Sequence, residues 1–116
     1  DLACLQSIPR KAVQVGETTV MAWVLDFGFL DIGKEKTSHF FIRNETVDLI
    51  ADLGIRVNPP SKPEVDVRLV SPSTIEWFPI EQPHEVIIHW RATDPTVKAG
   101  RCRALISIDG YITREE

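Results

Sequence analysis

Apolar and polar residues alternate one by one along most of this chain, and that alternation restricts its fold more than any other feature. A period of two puts successive side chains on opposite faces of an extended strand, whereas a helix would need apolar residues three and four apart. In Glu85-Val86-Ile87-Ile88-His89-Trp90-Arg91, Val86, Ile88 and Trp90 point one way and Glu85, Ile87, His89 and Arg91 the other. Residues 101–108 place Cys102, Ala104, Ile106 and Ile108 on one face. Residues 49–57 line up Leu49, Ala51, Leu53, Ile55 and Val57 against Asp52 and Arg56. Residues 37–43 set Phe40 and Ile42 against His39, Phe41 and Arg43, and Val65, Val67 and Leu69 alternate with Asp66 and Arg68. Residues 17–25, rich in β-branched and apolar types, form an early strand.

Turn residues separate these runs: Gly16, Gly28, Gly33, Asn58-Pro59-Pro60, Pro63, Ser71-Pro72-Ser73, Pro79, Pro83, Asp94-Pro95, Gly100 and Asp109-Gly110. Eight prolines spread along the chain leave little room for a long helix. The expectation is an all-β fold, an antiparallel β-sandwich of immunoglobulin-like type with about seven to eight strands. Residues 1–116 form a single domain, with 43% hydrophobic residues to supply its core. The chain starts Asp-Leu-Ala without an initiator Met, which suggests excision from a longer protein.

Charge and cysteines narrow the function. A net charge of −4 and a pI near 5.4 disfavour nucleic acid, since binding phosphates needs a basic face. No apolar run approaches the roughly 18 residues of a membrane span, so membrane insertion is not expected. Cys4 and Cys102 lie near opposite ends and form no Cys-x-x-Cys pair, which points to two reduced thiols. The alternative is a Cys4–Cys102 disulfide, which with the sequon Asn44-Glu45-Thr46 would describe an extracellular adhesion or receptor domain.

The candidates for chemistry are thin. Asp26-Phe27-Gly28 matches the triplet that holds magnesium in protein kinases, but no glycine-rich loop, catalytic loop or β3 lysine accompanies it. Gly28 and Gly33 precede no Gly-Lys-Ser/Thr, so they are turn residues and not a phosphate cradle. His39 and His89 face outward by parity and His84 opens a strand; none has a Cys or Glu at ligand spacing, and all three read as solvent-facing. The serines lack a nucleophile-elbow context, and the carboxylate pairs Asp48/Asp52 and Glu64/Asp66 look like solvated strand edges and turns. No catalytic residue, metal or cofactor is expected.

The surface offers more. If the last two long strands pair, Ile87, His89 and Arg91 share an outer face with Arg101, Arg103 and Leu105. Exposed aliphatics among cations suit an acidic, partly apolar protein segment. Of the adjacent pair Trp77-Phe78, one belongs in the core and the other is a candidate exposed anchor. Open sheet edges add a place for a partner strand. A carbohydrate-binding accessory domain would instead need Trp23, Trp77 and Trp90 exposed and coplanar.

The stretch Leu25-Asp26-Phe27-Gly28-Phe29-Leu30-Asp31-Ile32-Gly33, then a polar step from Lys34 to Ser38, then Phe40-Phe41-Ile42-Arg43-Asn44, resembles the N-terminal half of an ASH domain. That family takes its name from the abnormal spindle, spindle-defective and Hydin proteins and is related to the PapD and major sperm protein sandwiches. Val86 to Trp90, then Pro95, Gly100 and Ala104 to Ile108, resembles its C-terminal half, so the likeness covers residues 20–110. Pro95 lies farther past the Trp90 strand than the family pattern, Ser71 to Gln82 has no counterpart, and residues 1–19 would be an added N-terminal strand. The resemblance implies a non-enzymatic, cytoplasmic and cytoskeleton-associated module of centrosomal, spindle-pole, ciliary or flagellar scaffolds, often in tandem copies. It carries no catalytic residues, and it implies that Leu25, Phe27, Gly28, Gly33 and Asn44 serve the fold.

Overall fold

The computed structural model describes residues 2–4, 11–15, 17–44, 49–80 and 82–112, and every strand among them pairs antiparallel. The strands are β1 (Leu2–Cys4), β2 (Lys11–Val15), β3 (Thr18–Ala22), β4 (Glu35–Asn44), β5 (Ile50–Val57), β6 (Asp66–Leu69), β7 (Thr74–Phe78), β8 (His84–Arg91) and β9 (Ile106–Ile112). One sheet has the order β1-β4-β8-β6 and the other β7-β5-β9, while β2 and β3 form a hairpin of their own. The early strand expected over residues 17–25 is thus shorter, and Trp23 to Lys34 runs without regular structure to β4. β1 adds to the first sheet beside the end of β4, with Ala3 opposite Arg43.

The two larger sheets face one another across a common core, which gives the all-β chain its sandwich-like character. Phe40 and Ile42 from β4 and Val86 and Ile88 from β8 meet Ile50, Leu53 and Ile55 from β5 and Phe78 from β7. Val67, Leu69, Trp90, Ile106 and Ile108 pack around this centre, on the faces that alternation assigns them. Each fully buried Leu, Ile or Phe contributes about 1.5–3 kcal/mol relative to an exposed one.

Two expectations need correction. The last two long strands do not pair: β8 lies between β4 and β6, whereas β9 pairs with β5 in the opposite sheet. Each strand has one strongly apolar face. Facing each other across the core, the two faces bury one another, and the long connection over residues 92–105 lets the chain cross between sheets.

Strand β5 also departs from simple parity, because Ile50 is in the core and Leu49 is not. Between Ala51 and Gly54 this strand has two residues, Asp52 and Leu53, where β9 has only Gly110 between Tyr111 and Asp109. That is a β-bulge, with Asp52 in the left-handed region at φ 50°. The extra residue lets Ile50 and Leu53 both point inward. A β-carbon on Gly110 would stand 2.6 Å from Ile50 Cγ2 and 3.1 Å from Leu53 Cδ1, so glycine is what fits opposite the bulge.

Candidate interaction surfaces

The Asp-Phe-Gly triplet is turn architecture. The Gly28 N–H donates to Asp26 Oδ1 at 2.8 Å, Gly28 has φ 83°, and Lys36 Nζ donates to the Phe27 carbonyl. Leu25 and Phe27 pack against the core, the Phe27 ring lying 6.4 Å from Phe40 and 6.1 Å from Trp90. Gly33, at φ 88°, donates its N–H to Ala92 O at 2.7 Å, and Ala92 returns a bond to Lys34 O at 2.9 Å. The side chain of Asp26 is therefore occupied within its own turn. Among the described residues no three His, Cys, Asp or Glu side chains group as metal ligands.

Asn44 ends β4 fully buried, and its Nδ2 donates to the Phe78 carbonyl of the other sheet at 3.1 Å. This is the nitrogen a glycan would need, and in the fold it spans the sandwich instead. Glu45 and Thr46 of the sequon lie outside the described residues. Cys102 is a free, half-buried thiol, and the side chain of Cys4 lies outside the described residues.

Ile87, His89 and Arg91 do face outward, on the outer surface of the four-stranded sheet, but in a different company from the one expected. Glu35 Oε2 stands 3.8 Å from both Arg91 Nε and His89 Nε2, and His39 Nδ1 is 2.9 Å from Glu85 Oε2. Arg68 Nε pairs with Asp66 Oδ2 at 2.8 Å on the next strand, and Arg91 Nε also donates to Thr93 Oγ1 at 3.0 Å. His39, Arg68, His89 and Arg91 on this face thus each have a carboxylate beside them.

Arg101, Arg103 and Leu105 are elsewhere, in the irregular approach to β9. That segment is tied to residues 58–61, with Asn58 N–H donating to Leu105 O and Ser61 N–H to Arg103 O, both at 2.8 Å. Arg101 and Arg103 are exposed and Leu105 is half-buried. The six residues do not form one patch, because the strand pairing that would unite them does not occur. His84 is a further correction, for it does not face solvent. It shares the inward parity of Val86 and Ile88, meets Phe78 edge-on at 6.4 Å, and its Nε2 is buried without a hydrogen-bond partner among the described residues.

The outer face of the three-stranded sheet is the less balanced surface. Phe78 is 2% exposed and belongs to the core, whereas Trp77 is 55% exposed. Trp77 lies opposite Ala51 of the central strand. The next row holds Thr74, Gly54 and Asp109, with a shallow notch of about 300 Å³ over Gly54. Trp23 and Trp90 pack against the core, so the three tryptophans do not build a flat platform. Phe29, 97% exposed at the tip of the Gly28–Gly33 loop, is an outward aromatic that strand alternation did not single out.

No protein-family model matches this chain, and no match was found among curated proteins or among solved structures. The class of protein defined by the fold is an all-β one with antiparallel sheets and a sandwich-like core.

Proposed function

We propose that this chain is a non-catalytic protein-interaction module, an immunoglobulin-like sandwich of the PapD and major sperm protein type that works in an intracellular scaffold. The reading starts from the resemblance to ASH domains and extends to a centrosomal, spindle-pole, ciliary or flagellar setting, with tandem copies in the parent protein. It is supported by what the resembling residues do here. Leu25 and Phe27 pack on the core, Gly28 and Gly33 hold positive φ, and Asn44 links the sheets, so all five serve architecture.

The observation that carries the interaction role is Trp77. A large aromatic side chain left 55% exposed on an edge strand, beside a wholly buried Phe78, suits a binding anchor. A photo-crosslinking amino acid placed at position 77, in the parent protein and in its own cells, is expected to give discrete protein adducts. The same group at Thr93, exposed near the end of the other sheet, serves as the control. No adduct at 77 beyond that control would sink the reading. The extracellular alternative has no comparable support, since the Asn44 amide is buried and Cys102 is free.

A further inference from the structure

The outer face of the three-stranded sheet combines a strained backbone with unpaired charge. Asp52 holds φ 50° in the bulge, a region that side chains other than Asn, Asp and Gly rarely occupy. Leu53 pairs with Ile75 and Ala51 with Trp77, so Asp52 and Glu76, both exposed, lie between the same two rungs of neighbouring strands. Like charges held close together on neighbouring strands destabilise a sheet. Neither carboxylate has a hydrogen bond or ion pair among the described residues, and nor does that of Asp109. Arg56, the one cation in the central strand of this sheet, forms no ion pair there either. The opposite face of the sandwich is different, because there Glu35, Glu85 and Asp66 each have a cation or histidine beside them.

We propose that Asp52, Glu76 and Trp77 form a docking site for a Lys- or Arg-bearing extended segment of a partner protein, a deepening that rests on the interaction role proposed above. Charge complementarity selects the occupant. A cationic side chain seated between Asp52 and Glu76 removes their mutual repulsion, and the Trp77 ring beside them presents a π face to the same cation. An arginine gains most, since its planar guanidinium both forks onto a carboxylate and stacks on the ring. Gly54 leaves the neighbouring row low, so the segment can lie against the sheet next to Asp109. Local strain and local repulsion then converge where recognition occurs, as expected when a sequence departs from foldability rules at a working site.

The test uses the acetylated, amidated peptide Arg-Ala-Arg-Ala-Arg, with Glu-Ala-Glu-Ala-Glu as its mirror, followed by Trp fluorescence and by amide chemical shifts at low salt. Binding of the arginine peptide is expected, with shifts concentrated on residues 51–54 and 74–78. Affinity should fall with rising salt, and should fall at least tenfold in the double variant Asp52→Asn, Glu76→Gln. Trp77→Leu should weaken arginine more than lysine versions of the peptide. Equal binding of the glutamate peptide, shifts centred on another face, or an unchanged affinity in the double variant would each overturn the proposal. Absence of peptide binding would also overturn it; if position 77 still crosslinked to a protein in cells, the interaction role would stand and only the cationic chemistry would fall.

Discussion

Replacing Gly110 by Ala tests the central geometric feature of the three-stranded sheet. The new methyl would stand 2.6 Å from Ile50 Cγ2 and 3.1 Å from Leu53 Cδ1, and both of those side chains are in the core. Carbon atoms pack at about 3.5–4.0 Å, so the neighbours must yield by roughly an ångström. Overpacking of this kind costs about 1–3 kcal/mol. Against it stands the reduced chain entropy of the unfolded state, which favours Ala over Gly by about 0.4–1 kcal/mol where the backbone tolerates both. The net loss should be about 1–2 kcal/mol. For a domain of this length, with an unfolding entropy of about 2.1 cal/mol/K per residue, that lowers Tm by roughly 4–8 °C. Thermal and urea denaturation of the variant would measure it. The decisive comparison is a double-mutant cycle with Ile50→Ala, which removes the atom nearest the intruding methyl. In that background Gly110→Ala should cost far less, because the methyl enters space already vacated. A neutral or stabilising Gly110→Ala, or the same cost in both backgrounds, would refute the account of the bulge.

Asn44→Ala should destabilise by about 1–3 kcal/mol, because the buried Phe78 carbonyl loses its donor between the sheets; a urea midpoint equal to that of the parent would contradict this. Asp52→Gly should raise stability by about 0.5–1 kcal/mol, since it relieves both the left-handed backbone and the charge near Glu76, and a fall of that size would argue against strain at the site. The Thr96 hydroxyl and N–H, 2.6 and 2.8 Å from Asp94 Oδ1, hold its carboxyl below the usual range. A depressed folded pKa means a contribution present above the unfolded value, near 3.9, and lost as pH falls through the folded value. Thr96→Val should therefore move the Asp94 titration upward in carboxylate NMR, and an unmoved curve would deny the hydroxyl its role.

The faces of β4 and β8 were legible in the sequence because each follows one unbroken alternation from end to end. Phe40, Ile42, Val86 and Ile88 are buried where the pattern puts them. β5 was legible only in its second half. Its inward set runs Leu53, Ile55 as expected and then shifts to Ile50, and the cause lies in pairing with Gly110, nearly sixty residues away. No local pattern announces a bulge set by a distant glycine. The neighbours of β8 were illegible for a related reason, since alternation says which face is buried and not which strand supplies the hydrogen bonds.

The same limit governs the candidate site. Reading along one strand shows Arg91 and His89 as an exposed cationic surface, and only the fold brings Glu35 of β4 against them and Asp66 to the facing position on β6. Conversely, Asp52 and Glu76 look unremarkable apart from each other, as solvated acids on separate strands, until the pairing of β5 with β7 brings them between the same two rungs. A surface charge acquires meaning from its cross-strand partner. Where the partner is of opposite sign, the pair contributes a few tenths of a kcal/mol and leaves little for another molecule to gain. Where the partner is of like sign, the sheet bears a cost that a bound cation can relieve. By that criterion Glu35, Glu85 and Asp66 on the four-stranded sheet are already matched, and the face bearing Trp77 is where binding has the larger free energy to recover.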